Sequence, residues 1–141
     1  MKYTEIVGDL FQVPSDYFLV HCISADFALG KGIAVEFNKY FDMKNRLCRE
    51  YTVNGKYPNC LKVDRVFNLV TKEKYWQKPT YETLTLALLK MKEQCLLYGI
   101  KKIAMPLIGC GLDRLEWNRT SQILQDIFSD MDIEILVVKK V

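Results

Sequence analysis

Two kinds of apolar run alternate along this chain. Lys2 to Val7 alternates at period two, as a half-buried strand does, and ends at Gly8-Asp9. Tyr17 to Cys22 is apolar nearly throughout, the mark of a strand covered on both faces. From Gly32 to Tyr40 the period changes: Ile33, Phe37 and Tyr40 recur at helical spacing, and Met43 to Tyr51 predicts a second helix. Asn54-Gly55 predicts a turn. Leu61 to Thr71 carries Val63, Val66, Phe67, Leu69 and Val70, so it holds a strand or a tight strand pair. After a loop from Lys72 to Pro79, a long helix is predicted over Tyr81 to Tyr98. Thr80 is its N-cap, Leu84, Leu88, Met91 and Cys95 form its buried stripe, and Gly99 ends it. Ile103 to Met105 reads as a strand stopped by Pro106. Asn118 to Ser129 reads as a helix burying Ile123, Leu124, Ile127 and Phe128, and Ile133 to Val138 closes as a strand.

Strands alternating with helices, several of them apolar on both faces, predict an α/β sandwich around a largely parallel central sheet. In such sheets ligands bind beyond the C-terminal ends of the strands. Four loops leave strand ends of that kind: Gly8-Asp9, His21 to Ile33, Lys72 to Pro79, and Gly109 to Asp113. They are expected to converge on one crevice.

With 141 residues, 50% of them hydrophobic, the chain suits a single domain over residues 1–141. No apolar run approaches the roughly 18 residues of a membrane span. Met1 to Glu5 opens a strand pattern rather than a secretory leader. The expectation is a cytoplasmic monomer away from membranes, with the nucleus open to it in a eukaryotic cell. Five cysteines, Cys22, Cys48, Cys60, Cys95 and Cys110, are scattered without Cys-x-x-Cys spacing, and there is one histidine. That pattern supports neither a zinc site nor a disulfide framework, so no metal and no cofactor is expected. A net charge of +3, from 20 basic and 17 acidic residues, is too small to imply nucleic acid.

The candidate chemistry lies at the strand ends. Gly109 and Gly111 flank Cys110 in a tight loop where glycine backbone can approach an anion. Asp113 follows, and a carboxylate at the rim of a phosphate loop suits chemistry or ribose binding better than charge neutralisation. Gly30-Lys31-Gly32-Ile33-Ala34 is a second glycine pair, opening a helix whose free N–H groups suit a diphosphate. Asp9, directly after the first strand, can accept from an exocyclic amine such as adenine N6, or serve as an ordinary turn cap. Cys110 with His21 forms a rival cysteine–histidine pair, but no third residue at a recognisable spacing orients them. Tyr75 and Trp76 suit stacking on a base or ribose as well as they suit covering the core.

Taken in order, Gly-Asp-Leu-Phe from Gly8, His-Cys-Ile-Ser from His21, Gly-Lys-Gly-Ile-Ala from Gly30, Thr71-Lys72 with Lys78-Pro79-Thr80-Tyr81-Glu82, and Gly-Cys-Gly-Leu-Asp-Arg-Leu-Glu-Trp from Gly109 resemble the macrodomain family. The resemblance is strongest to its terminal ADP-ribose protein glycohydrolase subgroup (OARD type) and covers nearly the whole chain. It implies a three-layer α/β/α fold with a largely parallel mixed sheet, and ADP-ribose or an ADP-ribosylated substrate as partner. Nucleic acid then enters only as a modified substrate. By motif, Asp9 would hold the adenine amine with Leu10 beside it. Gly30, Gly32, Ile33 and Ala34 would border the diphosphate and distal ribose, and Gly109, Cys110, Gly111 and Leu112 would form the second phosphate loop. Ser24 matches a pocket serine, Lys72 the catalytic lysine and Asp113 the catalytic aspartate. Ser24 and its neighbours replace the asparagine-rich segment of many macrodomain hydrolases, which favours a lysine route over a water-activating one.

In that route Lys72 attacks C1″ of the distal ribose, releasing ester-linked glutamate or aspartate, and Asp113 assists proton transfer while water resolves the lysine adduct. The same pocket would deacylate O-acetyl-ADP-ribose. An ordinary lysine, with a pKa of about 10.4, is neutral only about once in 2,500 molecules at pH 7, so the chemistry requires help from its surroundings. The alternatives are an ADP-ribose-1″-phosphate phosphatase and a non-catalytic ADP-ribose reader. A reader needs Asp9 and the glycine loops but not Lys72 or Asp113.

Overall fold

The computed structural model describes residues 1–141. Six strands, β1 (Lys2–Gly8), β2 (Phe18–Ser24), β3 (Asn59–Val63), β4 (Val66–Lys72), β5 (Lys102–Met105) and β6 (Glu134–Lys140), form one sheet in the order β1-β6-β5-β2-β4-β3. Every pairing is parallel except β3 with β4, which is antiparallel. Helices α1 (Ile33–Phe41) and α2 (Met43–Glu50) cover one face, and α3 (Tyr81–Tyr98) and α4 (Trp117–Phe128) cover the other. The architecture is the expected three-layer α/β/α sandwich with a mixed sheet.

Each face of the sheet has its own core, as alternating side chains along a strand demand. Leu19, Ile23, Val66 and Val70 pack under Phe37, Met43 and Leu47, whereas Val20, Phe67, Leu69 and Ile103 pack under Leu84, Leu88, Met91, Leu124 and Phe128. Truncating a buried Phe such as Phe37 or Phe128 to Ala costs about 3–5 kcal/mol in such cores. The α3 stripe of Leu84, Leu88, Met91 and Cys95 is buried as its spacing requires. Thr80 and Thr83 form a reciprocal capping box at its start, and Gly99 ends it in the left-handed region.

The differences are local. Leu61 to Thr71 resolves into two strands joined by Asp64-Arg65, with Asp64 at φ +53°. β2 runs to Ser24, so His21 lies inside a strand and not in the following loop. On α1, Phe37 is buried but Tyr40 stands exposed, and on α4 Ile123 and Ile127 are half-buried beside the fully buried Leu124 and Phe128. No helix is long and apolar enough to cross a membrane.

Candidate active site

Parallel β1, β2, β4, β5 and β6 end on the same edge of the sheet, and the segments after them enclose one cleft of about 1260 Å³. That exceeds the roughly 300–1,000 Å³ of a common small-molecule site, as an extended ligand requires. All of the candidate site residues line it: Asp9 and Leu10 from the end of β1, Ser24 from β2, Gly30, Gly32, Ile33 and Ala34 from the start of α1, Lys72 from β4, and Gly109, Cys110, Gly111, Leu112 and Asp113 from the segment after β5. The convergence follows from topology: residues 41 positions apart, such as Lys72 and Asp113, meet because their strands end side by side with β2 between them.

Lys72 is the last residue of β4, and Asp113 closes a single 3₁₀ turn, Gly111–Asp113. Lys72 Nζ donates to Asp113 Oδ1 at 2.8 Å, and the two side chains keep only 14% and 16% of their surface. Shielding from water strengthens this charge-assisted bond relative to the exposed pairs elsewhere on the molecule. Beside it, Lys78 Nζ donates to the Leu112 carbonyl at 2.5 Å, tying the loop after β4 to the glycine loop.

The glycine positions are not equivalent. Gly32 caps α1 at φ +61° and ψ −147°, a region open essentially to glycine alone, and no side chain caps that helix end. The amides of Ile33 and Ala34 therefore lack intrahelical partners where they border the cleft, an arrangement suited to an anion. Gly111, at φ +75°, has nothing within 4 Å of the position a Cβ would take, so its backbone is laid open. Gly109, at φ +73°, would push a Cβ to 2.9 Å from Leu115, so packing restricts it as well. Gly30 shows neither constraint.

Asp9 takes the turn-cap role that its sequence position allows. One carboxylate oxygen, Oδ1, accepts from Phe11 N at 2.9 Å and caps the 3₁₀ turn Leu10–Gln12, leaving Oδ2 for another donor. Phe11 also lines the cleft, packed against Phe37 and Tyr40 at ring separations of 4.9 and 4.8 Å. Tyr75 and Trp76 do not cover the core: they stand at the mouth, 57% and 65% exposed, edge to face at 5.1 Å.

Asp26 is the residue that sequence reasoning missed. Its carboxylate accepts from Ser24 Oγ at 2.5 Å, Ala28 N at 3.2 Å and Tyr75 N at 3.0 Å. One side chain thus joins the serine at the end of β2, the approach to the glycine pair and the loop after Lys72. Burial raises its pKa, but donation from Ser24 and the two amides, with the charge of Lys74, outweighs burial and holds the carboxyl below its ordinary range. A Ser-x-Asp spacing at a strand end is the only sequence signal, and the Tyr75 contact lies 49 residues away.

The cysteine–histidine rival does not survive the geometry. His21 is fully buried, stacked on Phe37 at 3.9 Å and bonded to Asn68 Oδ1 at 2.6 Å through Nε2, and burial pushes its pKa down to about 4. Burial also raises the Cys110 thiol and lifts Cys22 to about 12. None of these is an activated nucleophile.

The comparisons with known proteins agree with this construction. A family model described as "Macro domain" matches residues 20–124. ADP-ribose glycohydrolase OARD1 of Bos taurus is 42% identical over 137 residues, covering 96% of this chain and 90% of that protein. Its Homo sapiens counterpart is 40% identical with the same coverage. Among solved structures, the macrodomain of Mycobacterium tuberculosis DarG superimposes with a TM-score of 0.84 at 22% identity over 96% of each chain. The Thermosipho africanus DarTG structure in complex with ADP-ribose gives 0.76 at 19% identity, over 98% of this chain and 41% of that one. At such identities these structures speak for the fold alone. The family match over most of the chain, and relatives at 40–42% identity along nearly all of it, establish that the chain belongs to the macrodomain family.

Proposed function

We propose that this macrodomain binds ADP-ribose and hydrolyses ADP-ribosyl esters, with Lys72 as nucleophile and Asp113 as its proton partner. Likeness to the ADP-ribose glycohydrolases of cattle and human supports the coarser reading, binding and hydrolysis of ADP-ribosyl compounds. The observation that carries the finer one is the shielded 2.8 Å pair of Lys72 and Asp113 at the cleft. A module that only binds has no need of an ion pair there.

As an ion pair, Lys72 carries the proton and cannot attack. Moving the proton along the existing hydrogen bond to Asp113 yields an amine and a carboxylic acid at contact distance. The amine attacks C1″ of the distal ribose. The bond from C1″ to the acyl oxygen breaks, and glutamate or aspartate departs as a carboxylate with the electron pair. Asp113 gives its proton to O4″ as the ring opens and recovers one from the nitrogen, leaving a Schiff base on Lys72. Water adds at C1″, the amine is expelled, and the aldehyde recloses as ADP-ribose. A carboxylate leaves without needing protonation, so one acid–base residue is enough. O-acetyl-ADP-ribose, also an ester on the distal ribose, falls within the same reach.

Parallel incubation with protein mono-ADP-ribosylated on glutamate, O-acetyl-ADP-ribose and ADP-ribose-1″-phosphate tests this. Turnover of the esters is expected, abolished in Lys72→Ala with ADP-ribose affinity largely kept, because interactions made only in the transition state act on kcat. Borohydride should trap an adduct on the peptide containing Lys72. Full activity of Lys72→Ala overturns the lysine route. Phosphate release alone makes the protein a phosphatase, and binding without any turnover makes it a reader.

A further inference from the structure

The outward face of α3 breaks the rule that α2 and α4 follow. At 100° per residue, Leu84, Leu88, Met91 and Cys95 define the buried side, and the opposite side presents Glu82, Leu86, Leu89, Lys90, Glu93, Leu96 and Leu97. Four of those seven are leucines, 42%, 41%, 62% and 75% exposed in chain order. On α4 the fully exposed positions are Asn118, Arg119, Gln122 and Asp126, and on α2 they are Lys44, Asn45, Cys48, Arg49 and Glu50. A solvated helix has no use for a leucine stripe diametrically opposite its core, and α3 is 18 residues long, about 27 Å.

We propose that this face joins two copies of the chain in an antiparallel, two-fold α3–α3 contact. The charges within the stripe identify the occupant. Lys90 and Glu93 are the exposed charged residues between its two leucine pairs, and neither makes an ion pair within the chain, whereas the half-buried Lys92 turns aside to Asp130. A two-fold axis lying between the two helices, level with the midpoint of residues 90 and 93, sets each Lys90 opposite its partner's Glu93. The same axis sets each Leu86 opposite its partner's Leu97, while Leu89 and Leu96 flank these pairs on the same exposed face. A single symmetry point thus pairs Lys90 with Glu93 and Leu86 with Leu97, the self-complementarity of an isologous interface. An unrelated partner would not require this palindrome.

One helix face buries less than the roughly 800 Å² per partner of a standard stable interface, so the dimer is concentration-dependent, with Kd on the order of tens of micromolar. The stripe lies on the side of α3 turned away from the sheet, and none of its residues lines the cleft, so the contact leaves the site open.

Sedimentation equilibrium on the whole protein, from micromolar to several hundred micromolar at low salt, tests the proposal independently of any activity. The unmodified protein should pass from monomer to dimer. Lys90→Glu and Glu93→Lys should each remain monomeric, having placed like charges face to face, and Lys90→Glu combined with Glu93→Lys should restore the dimer. Leu97→Lys should also abolish it, with circular dichroism unchanged because the side chain is exposed. A protein that stays monomeric throughout, a Lys90→Glu variant that still dimerises, or a double exchange that fails to restore association would each overturn the proposal.

Discussion

At the scale of single residues, the polar groups that matter are those whose partners are far away in sequence. His21 is the chain's one histidine, so its ring protons titrate alone in an NMR spectrum. Its pKa of about 4 lies below the unfolded value of about 6.5, so the unfolded chain takes up the proton first as pH falls. Stability from this group is complete above about pH 6.5 and is lost as pH drops toward 4, by ~3 kcal/mol at most. Urea midpoints between pH 7 and 4, with NMR titration of the ring, check this; a ring that titrates near 6.5 in the folded protein contradicts the buried placement. Asp26 gives a second test. Asp26→Ala strands the Ser24 hydroxyl and the Tyr75 amide, so hydrogen exchange at Tyr75 should accelerate about tenfold or more and stability fall by roughly 1–2 kcal/mol. Unchanged exchange would mean that the bonds of Lys74 to Asn54 and Gln77 hold the loop by themselves.

At the scale of elements, the sequence was most legible where one strong local signal acted alone. The α3 boundaries, Thr80 to Gly99, could be read because capping chemistry and a 3.6-residue stripe agree. The β3–β4 turn could not, because Asp64-Arg65 lacks the glycine that usually marks a two-residue hairpin. His21 fell where the predicted strand Tyr17 to Cys22 and the loop after it overlap; it lies within β2, where Asn68 on β4 and Phe37 on α1 make a buried imidazole tolerable. Asp9, Asp113 and the glycine loops were legible from their chemistry at strand ends, Ser24 and Lys72 came only through the family resemblance, and Asp26 was missed because nothing local announces a carboxylate shared by three segments. The glycine loops carry a prediction at this scale. Gly32→Ala should destabilise the fold by roughly 1–3 kcal/mol, since its backbone conformation is closed to alanine, whereas Gly30→Ala should be nearly silent. Gly111→Ala falls between them: the strain is about 1 kcal/mol, the methyl meets no protein atom, and it projects over the phosphate loop. Urea denaturation with ADP-ribose calorimetry should therefore show Gly111→Ala folded but impaired in binding. Normal affinity in that variant would remove the loop from the ligand contact.

At the scale of the whole molecule, the cleft joins elements that the sheet alone connects weakly. Asp9 stands at the end of edge strand β1, and Lys72 ends β4, three strands away across β6, β5 and β2. A ligand reaching from one to the other contributes binding energy that unfolding must break. At about one hundred times Kd, a ligand that binds only the folded chain adds about 2.7 kcal/mol. For a domain of this size, that raises Tm by roughly 8 °C. ADP-ribose should produce such a shift in differential scanning fluorimetry, and Lys72→Ala should retain most of it, because in the proposed route the amine acts in the reaction rather than in ground-state binding. Asp9→Ala, losing a charge-assisted bond to the base, should bind at least about tenfold more weakly and show about half the rise at the same ligand concentration. AMP carries the adenine end without the distal ribose and should shift Tm less than ADP-ribose at equal concentration. An equal shift would mean that the ligand is held at the Asp9 end only, leaving Lys72 and Asp113 without a substrate to meet.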